Sequence, residues 1–255
     1  APSDIVLSGA QQAAYDAISQ HLSAGTPCLL KGVTSSGKTE IYIRLIEEVI
    51  RSGRQVLFLL PEIALTTQII QRLGKYFGAA VGVYHSRYNE SERVEIWNKA
   101  NRPLAGQADE QPYQIILGAR SALFLPFTDL GLIIVDEEHD TSYKQNEPPP
   151  RYNARDAAVV LGNIHKAPVL LGSATPSIES YYNARQQKYA LVELDERYGG
   201  IRMPEVRITD IREAEKLRQM KSHFSVPLLE AIGCSLDAGE QVILFQNRRG
   251  FSLRL

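Results

Sequence analysis

The sequence contains few of the residues on which disulfide-rich, zinc-binding and membrane proteins depend. Its 255 residues include only two cysteines, Cys28 and Cys234, which stand far apart and give neither a zinc-ligand spacing nor a disulfide framework. No apolar run approaches the roughly 20 residues of a membrane-spanning helix, and the N-terminus lacks the basic-then-apolar pattern of a secretory signal. We therefore expect a cytoplasmic protein without a zinc site.

The chain also lacks an excess of positive or negative charge. The 28 Lys and Arg residues nearly balance the 29 Asp and Glu residues, and the formal net charge at pH 7 is −1. The chain therefore has no global basic field, and nucleic acid would have to be held by local groups of cations. This balance argues against a histone-like electrostatic binder and leaves a protein that holds DNA loosely as an open alternative.

Short apolar runs alternate with longer amphipathic stretches along the chain. Several runs are nearly continuous in Val, Ile and Leu, which is typical of parallel strands that are covered on both faces. The predicted strands are Cys28–Lys31, Gln55–Leu60, Ala80–Tyr84, Gln114–Leu117, Leu132–Val135, Val169–Leu171, Ala190–Leu194 and Gln241–Phe245. The predicted helices are Ser8–Ser23, Lys38–Arg51, Leu65–Phe77, Ser91–Asn101, Ala154–Asn163, Pro176–Gln187 and Val226–Leu236. Repeated strand-then-helix units predict an α/β fold, with a doubly wound, mainly parallel sheet and helices on both faces.

Segments rich in Gly, Pro and polar residues divide this pattern. Asn101–Pro112 is predicted to be an insertion, and Gln145–Arg151, with three consecutive prolines, an extended loop. A Gly- and Pro-containing segment begins a predicted linker over residues 198–222. We expect residues 1–197 to form a first domain and residues 223–255 to begin a second one that is truncated, because one further helix and strand cannot bury their apolar faces.

Residues 32–39 read Gly-Val-Thr-Ser-Ser-Gly-Lys-Thr and form a phosphate-binding motif. They follow a predicted strand and open a predicted helix, which is the context that the motif requires. Loop N–H groups and the helix N-terminus together attract phosphate, so we expect a nucleoside triphosphate here, with Lys38 on its β- and γ-phosphates and Thr39 on Mg²⁺. The motif alone does not separate motors, kinases and switches. The nucleotide-binding candidates in this loop are Gly32, Val33, Thr34, Ser35, Ser36, Gly37, Lys38 and Thr39.

An acidic segment, Asp-Glu-Glu-His at residues 136–139, follows the predicted strand Leu132–Val135. Ligands of open α/β sheets gather at the carboxyl ends of strands, so these acids should lie beside the phosphate loop. We expect Asp136 to hold Mg²⁺ through water and Glu137 to polarise the attacking water. A general base at this place predicts hydrolysis, although a solvated charge cluster after a buried strand is the alternative.

Residues 172–177 read Gly-Ser-Ala-Thr-Pro-Ser and follow another predicted strand. Small hydroxyl side chains at a strand end can hydrogen-bond the acidic segment and sense the γ-phosphate. The same residues can equally form a capping turn, with Thr175 or Ser177 at the N-terminus of a helix. The residues alone leave both interpretations open.

Taken together with Pro61–Thr66, Arg120–Phe124 and Asn247–Gly250, these motifs resemble those of the superfamily 2 DNA helicases, and among them the replication-restart helicases. The resemblance begins at about Leu7 and is most specific over Leu132–Asp156. It implies a RecA-like lobe of the P-loop NTPase fold, ATP and Mg²⁺ as ligands, and 3′-to-5′ movement on single-stranded DNA during primosome assembly. Serine stands at position 35, where the family usually has glycine. Serine fits there if the backbone keeps a negative φ, and we therefore expect nucleotide binding to persist.

The resemblance also implies roles for individual residues. Gln11 matches the family's adenine-reading glutamine, although Ser8-x-x-Gln11 also fits a capping box. The residues that would couple DNA contact to hydrolysis are His139, Ser173 and Thr175. The residues that would contact DNA supply aromatic rings for base stacking and cations or hydroxyls for phosphates. They are Tyr143, Lys144, Arg151, Tyr152, Arg155, Arg120, Ser121 and Thr66.

The partners that the resemblance implies are single-stranded and forked DNA, with single-stranded-DNA-binding protein and other primosome proteins as further candidates and the bacterial nucleoid as the location. The family's later motifs, including the arginine that reaches the γ-phosphate, fall outside the match. We therefore expect the chain to bind nucleotide, hydrolyse it slowly and not unwind DNA. The alternatives are a duplex-DNA translocase of the same superfamily and a non-hydrolysing nucleotide-binding interaction module. A metabolic kinase does not explain the segment at 172–177.

Overall fold

The structure is a computed structural model that describes residues 5–62, 67–85, 88–101, 112–197 and 204–245. Its contacts divide the chain into two compact units, one that ends at Arg202 and one that begins at Met203. Several sequence predictions lie outside the described residues. They are the DNA-contact candidate Thr66, most of the insertion Asn101–Pro112, the start of the linker and the motif Asn247–Gly250.

The first unit is built on a seven-stranded sheet in which all the described pairings are parallel. Its order is β3-β4-β2-β5-β6-β1-β7. The strands are β1 (Cys28–Gly32), β2 (Gln55–Leu59), β3 (Val81–Tyr84), β4 (Ile115–Gly118), β5 (Leu130–Val135), β6 (Val169–Ser173) and β7 (Ala190–Leu194). Because the strands are parallel, their carboxyl ends all lie at the same edge of the sheet.

Helices cover both faces of this sheet and bury two apolar clusters. Successive strand residues belong to different clusters: Leu57 packs in one and Phe58 in the other, as the alternation of side chains along a strand requires. The first cluster contains residues of α1 (Gly9–Ser23), α2 (Lys38–Arg51) and α3 (Thr67–Phe77). The second contains residues of α4 (Glu90–Ala100), α5 (Ala154–His165) and α6 (Ile178–Arg185). The predicted doubly wound α/β fold is therefore confirmed.

Capping side chains set the helix boundaries and shift them slightly from the predicted ones. Ser8 stands just before α1, where its Oγ accepts a hydrogen bond from the N–H of Gln11. Asn89 begins α4 in the same way, and Ser177 caps α6 by accepting from the N–H of Ser180. Each cap satisfies one of the N–H groups that a helix N-terminus leaves without an intrahelical partner.

The second unit contains α7 (Ile211–Lys216), the hairpin of β8 (Met220–Lys221) and β9 (Phe224–Ser225), and α8 (Val226–Asp237). Part of the predicted linker therefore has regular structure. The predicted strand Gln241–Phe245 is wrong, because the described chain offers it no pairing partner, and Ile243 and Phe245 are 91% and 85% exposed. No helix among the described residues is long and apolar enough to cross a membrane.

Candidate active site

Three neighbouring strands bring the sequence motifs together. The sheet order places β6 between β5 and β1, so the acidic segment, the segment at 172–177 and the phosphate loop follow adjacent strands at one edge. A cavity of about 330 Å³ lies there, and both Lys38 and Glu137 line it. The other residues that line this cavity are Thr34, Ser35, Ser36, Gly37, Thr39, Glu40, Arg72 and Asp136.

The phosphate loop depends on glycine at two close approaches. Gly37 has a φ of 83°, and a Cβ there would lie 2.0 Å from the side-chain nitrogen of Gln11. A Cβ on Gly32 would lie 2.8 Å from the Oγ of Ser36. Gly37 begins α2 without a side-chain cap, so no capping side chain competes with an anion for the N–H groups of the first turn. The Nζ of Lys38 donates to the carbonyl of Gly32 at 2.9 Å, which fixes the ammonium across the loop.

The condition under which serine fits at position 35, a negative φ, is not met. The φ of Ser35 is 64°, in the left-handed region that glycine adopts without strain. A residue with a Cβ pays roughly 1–2 kcal/mol for this conformation. The curvature of the loop therefore explains why glycine is usual at this position, and Ser35 carries local strain beside the cavity.

Gln11 braces the phosphate loop and has no free donor for adenine. Its Oε1 accepts from the N–H of Ser8 at 2.8 Å, so the capping box is present. Its Nε2 donates to the carbonyls of Ser36 and Gly37 at 3.4 and 3.2 Å, and the residue is 1% exposed. The expected adenine contact is therefore wrong for this structure, because both amide hydrogens are used and a base cannot reach them.

Two tyrosine hydroxyls donate hydrogen bonds to Asp136, and the sequence motifs predicted this role for neither tyrosine. The hydroxyl of Tyr42 donates to the Asp136 Oδ1 at 2.9 Å, and the hydroxyl of Tyr143 donates to the Asp136 backbone carbonyl at 2.6 Å. Burial, and then the charge of Glu137, raise the pKa of the Asp136 carboxyl to about 6, while Tyr42 and Lys38 oppose this shift. A bound cation would favour the charged form.

The general-base candidate Glu137 stands in a strained turn. Its φ is 48°, and the turn is closed by the Asp140 N–H, which donates to the Glu137 carbonyl at 2.8 Å. The Glu137 side chain is 37% exposed, so its carboxylate can meet water in the cavity. Strained backbone of this kind clusters at functional sites, which is consistent with a reactive role for this carboxylate.

The coupling candidates form a chain of contacts from the acidic segment to β6. The Nδ1 of His139 lies 3.6 Å from the Glu137 carboxylate and 2.7 Å from the Ser173 Oγ. The same Oγ accepts from the Thr175 N–H at 3.0 Å. Ser177 caps α6, so the capping-turn interpretation holds for that residue, while the sensing of the γ-phosphate by Ser173 and Thr175 stays a prediction.

Glu138 and Arg155 form a buried cluster instead of a DNA contact. Glu138 is 1% exposed and accepts from the Ser177 N–H and Oγ, from the Ser180 Oγ and from the Arg155 guanidinium. Arg155 is 7% exposed and also donates to Asp156. The expectation that Arg155 contacts DNA phosphates is therefore wrong. The motifs indicated no role for Glu138, which ties the acidic segment to α5 and α6.

The expectation that Tyr143 stacks on bases is wrong. Its side chain is 1% exposed and its hydroxyl donates to the Asp136 carbonyl, so the ring belongs to the core. Tyr152 stays half-buried, and the Phe124 ring meets it edge-on with centroids 5.2 Å apart. Phe124 itself is 58% exposed, which makes it the aromatic side chain that this surface presents most fully.

The remaining DNA-contact candidates lie on the same surface. Arg120 donates to the Ser142 carbonyl at 2.9 Å, and the Tyr152 hydroxyl meets the Arg120 carbonyl at 3.5 Å. Lys144 is exposed and donates to the Arg151 carbonyl at 2.8 Å. Ser121, next to Arg120, is partly buried. These side chains keep positive charge close to exposed aromatic surface.

Within the described ranges no group of three or more His, Cys, Asp or Glu side chains could hold a metal ion. Cys28 is buried, burial raises the pKa of its thiol to about 12, and Cys234 is exposed in the other unit. The absence of a zinc site stays a prediction.

The chain is similar to known proteins in sequence and in fold. The family model for DEAD/DEAH box helicases matches residues 8–184. Replication restart protein PriA of Chlamydia trachomatis serovar D is 46% identical over 253 residues, which are 98% of this chain and 32% of the relative. PriA of Bacillus subtilis is 43% identical over 248 residues, 96% of this chain and 30% of the relative. The chain thus spans about a third of the length of these curated relatives.

Two solved structures support the same fold. RecG bound to a three-way DNA junction aligns with a TM-score of 0.55 and 22% identity, over 78% of this chain and 25% of that one. The DUF1998 helicase MrfA bound to DNA and AMPPNP aligns with a TM-score of 0.52 and 16% identity, over 84% of this chain and 32% of that one. At these identities the likeness concerns the fold alone.

Proposed function

Because the chain belongs to the DEAD/DEAH box helicase family, we propose that it is the ATP-binding lobe of a 3′-to-5′ DNA helicase that acts in replication restart. In this proposal the complete protein couples ATP hydrolysis to translocation on single-stranded DNA during primosome assembly. The similarity to PriA supports this assignment. Because the chain spans about a third of the length of these relatives, the activity of a complete protein is part of the proposal.

The observation that carries the proposal is the cavity that Lys38 and Glu137 share. The phosphate loop and Lys38 would bind the triphosphate through N–H groups and an ammonium. Thr39 and Asp136 supply a hydroxyl and a carboxylate oxygen to the same cavity, and hard cations such as Mg²⁺ prefer oxygen ligands. Bound Mg²⁺ would neutralise phosphate charge, so these residues fit a Mg²⁺–ATP site.

A side chain of this protein would then accept the proton that the attacking water releases. The Glu137 carboxylate would accept a proton from the water that attacks the γ-phosphate. His139 and Ser173, which contact each other beside Glu137, would report the state of the phosphate to β6 and its following turn. A neutral Gln at position 137 keeps the shape of the side chain and removes the base.

DNA is the partner that the exposed surface favours. The proposed contacts are Arg120, Ser121, Lys144, Arg151 and Tyr152, to which the exposed ring of Phe124 is added here. Cations there would neutralise phosphates, and rings would stack on bases without sequence preference. Single-stranded-DNA-binding protein, other primosome proteins and a place in the bacterial cytoplasm at the nucleoid remain parts of the proposal that follow from the similarity to PriA.

We also propose that the 255-residue chain alone binds ATP and hydrolyses it slowly. The family's γ-phosphate arginine belongs to a later motif, and an arginine finger changes rates by about 10³–10⁵ in well-studied NTPases. Hydrolysis by the chain alone at the rate of the complete protein would contradict this part.

ATP turnover by the complete protein, with and without single-stranded DNA, tests the proposed function. We expect DNA to stimulate turnover, Glu137→Gln to abolish it while ATP binding persists, and paired Phe124→Ala and Tyr152→Ala changes to weaken the stimulation. Unchanged turnover in Glu137→Gln would favour a non-hydrolysing interaction module. Translocation on blunt duplexes, with no unwinding of forked DNA, would favour a duplex translocase.

A further inference from the structure

Tyr42 is a buried residue of α2 that belongs to none of the motifs. Its side chain is fully buried, and its ring packs edge-on against Phe58 with centroids 5.5 Å apart. Phenylalanine would fill the same space without the cost of removing a hydroxyl from water, which is about 1–3 kcal/mol in proteins when the group finds no partner. The hydroxyl is therefore the part of Tyr42 that needs an explanation.

The partner of this hydroxyl is the carboxylate of Asp136. The hydroxyl donates to Oδ1 at 2.9 Å, across 94 positions of the chain. Tyr42 lies one helical turn after Lys38, so the helix that begins at the phosphate loop also reaches the acidic segment at the end of β5. A hydrogen bond to one carboxylate oxygen restricts the rotation of the whole group.

Gly172 of β6 makes this contact possible. A Cβ at position 172 would lie 1.8 Å from the Tyr42 hydroxyl oxygen and 3.2 Å from the Oδ1 of Asp136. Any larger residue would displace the hydroxyl from the carboxylate. Three segments thus build the contact. Tyr42 of α2 donates the hydrogen bond, Asp136 directly after β5 accepts it, and Gly172 of β6 leaves space for the hydroxyl.

We propose that Tyr42 is a positioning residue that orients the Asp136 carboxylate for Mg²⁺ and links the phosphate loop to the acidic segment. The inference rests on the proposed function, since it assumes that Asp136 serves a Mg²⁺–nucleotide complex. Partners that orient metal-binding carboxylates typically change metal affinity about 10–100-fold when they are removed. Tyr42 acts through Asp136 and does not itself contact the nucleotide.

The test is the Tyr42→Phe variant of the 255-residue chain, which keeps the ring and its packing and removes one oxygen atom. Binding of a fluorescent ATP analogue is measured at increasing Mg²⁺ concentrations and in EDTA. Mg²⁺ should increase the affinity for the ATP analogue. We expect the Mg²⁺ concentration at which half of this increase is reached to rise about 10-fold in the variant. The affinity in EDTA should change less than about twofold, because the phosphate loop is intact.

Tyr15→Phe is the matched control. It also removes a hydroxyl that bonds a carboxylate, that of Glu48, but neither residue lines the site cavity. This variant should keep the Mg²⁺ dependence of the wild type. Thermal unfolding of both variants in EDTA checks that each is folded.

Each outcome decides the matter. Wild-type Mg²⁺ dependence in Tyr42→Phe, or an equal loss of affinity with and without Mg²⁺, overturns the positioning role and leaves the proposed function intact. A wild-type chain that binds the ATP analogue with no response to Mg²⁺ overturns the proposed function itself, and the role of Tyr42 with it.

Discussion

The contact among Tyr42, Asp136 and Gly172 predicts that two substitutions will not have additive costs. Gly172→Ala places a Cβ 1.8 Å from the Tyr42 hydroxyl oxygen, whereas carbon contacts are optimal at about 3.5–4.0 Å. Overpacking of this kind costs about 1–3 kcal/mol. Displacing the hydroxyl from the carboxylate costs about 1.5–3 kcal/mol more. Gly172→Ala should therefore destabilise the first unit by about 2.5–6 kcal/mol.

Tyr42→Phe alone should cost only the hydrogen bond, about 1.5–3 kcal/mol. In the double variant the same hydrogen bond cannot be lost twice, and the clash with the hydroxyl is gone. Only the ring carbon that carries the hydroxyl stays close, 3.0 Å from the new Cβ. The double variant should therefore be at least as stable as Gly172→Ala alone, with a coupling energy of about 2 kcal/mol.

Chemical unfolding of the wild type and the three variants, without nucleotide, measures this coupling. Gly131→Ala is the control, because its Cβ would lie 2.6 Å from the Val49 side chain and overpack a site that does not involve Tyr42. Tyr42→Phe should cost the same in that background as in the wild type. Costs of Gly172→Ala and Tyr42→Phe that simply add would refute the reasoning.

Three further predictions concern strain, pH and burial. Ser35→Gly should raise the unfolding free energy by about 0.5–1 kcal/mol, or a few degrees in Tm, because glycine relieves the positive φ; an unchanged or lower Tm would contradict this. Because burial raises the pKa of Asp136 to about 6, ionising this carboxyl costs the folded state free energy as pH rises from about 4 to 6. Asp136→Asn should therefore be more stable than the wild type by about 3 kcal/mol at pH 8 and by under about 1 kcal/mol at pH 4, and an equal gain at both pH values would refute the assignment. Arg155→Met should cost about 3–5 kcal/mol in chemical unfolding, because it leaves the buried Glu138 carboxylate unpaired, whereas Arg151→Met at an exposed pair should cost under about 0.5 kcal/mol; similar costs would contradict the buried cluster.

Much of the fold was predictable because burial on both faces leaves a direct mark on the sequence. Runs such as Leu132–Val135 are apolar at every position, which is typical of a strand inside a sheet that is covered on both faces. The rule that ligands gather at the carboxyl ends of strands then brings Lys38 and Glu137 together without further information. The shared cavity agrees with that expectation.

The errors come from properties that depend on distant partners. Tyr143 and Arg155 have the composition of a nucleic-acid surface, but composition does not report that Asp136 and Glu138 turn both side chains inward. Gln241–Phe245 has the pattern of a strand, but a strand forms only when another strand pairs with it. In each case the residue types suited the predicted role, but the sequence did not show which partners the fold would give them.

The contact between Tyr42 and Gly172 could not be predicted for the same reason. Tyr42 falls on the apolar face of a helix and Gly172 in a buried strand, and each is ordinary in its own segment. Only the structure shows that they meet, because a Cβ at position 172 would lie 1.8 Å from the Tyr42 hydroxyl oxygen. Ser35 likewise needed the backbone, because its φ depends on the curvature of the whole loop.

The central claim is that the phosphate loop and the acidic segment serve one triphosphate. An ATP analogue with a photoreactive group on its γ-phosphate, bound to the 255-residue chain and followed by mass spectrometry, tests this most directly. We predict labelling of residues 136–139 or 172–175, lost when Lys38 is changed to Ala and when unlabelled ATP competes. Competable labelling confined to other segments, or unaffected by Lys38→Ala, would contradict the account.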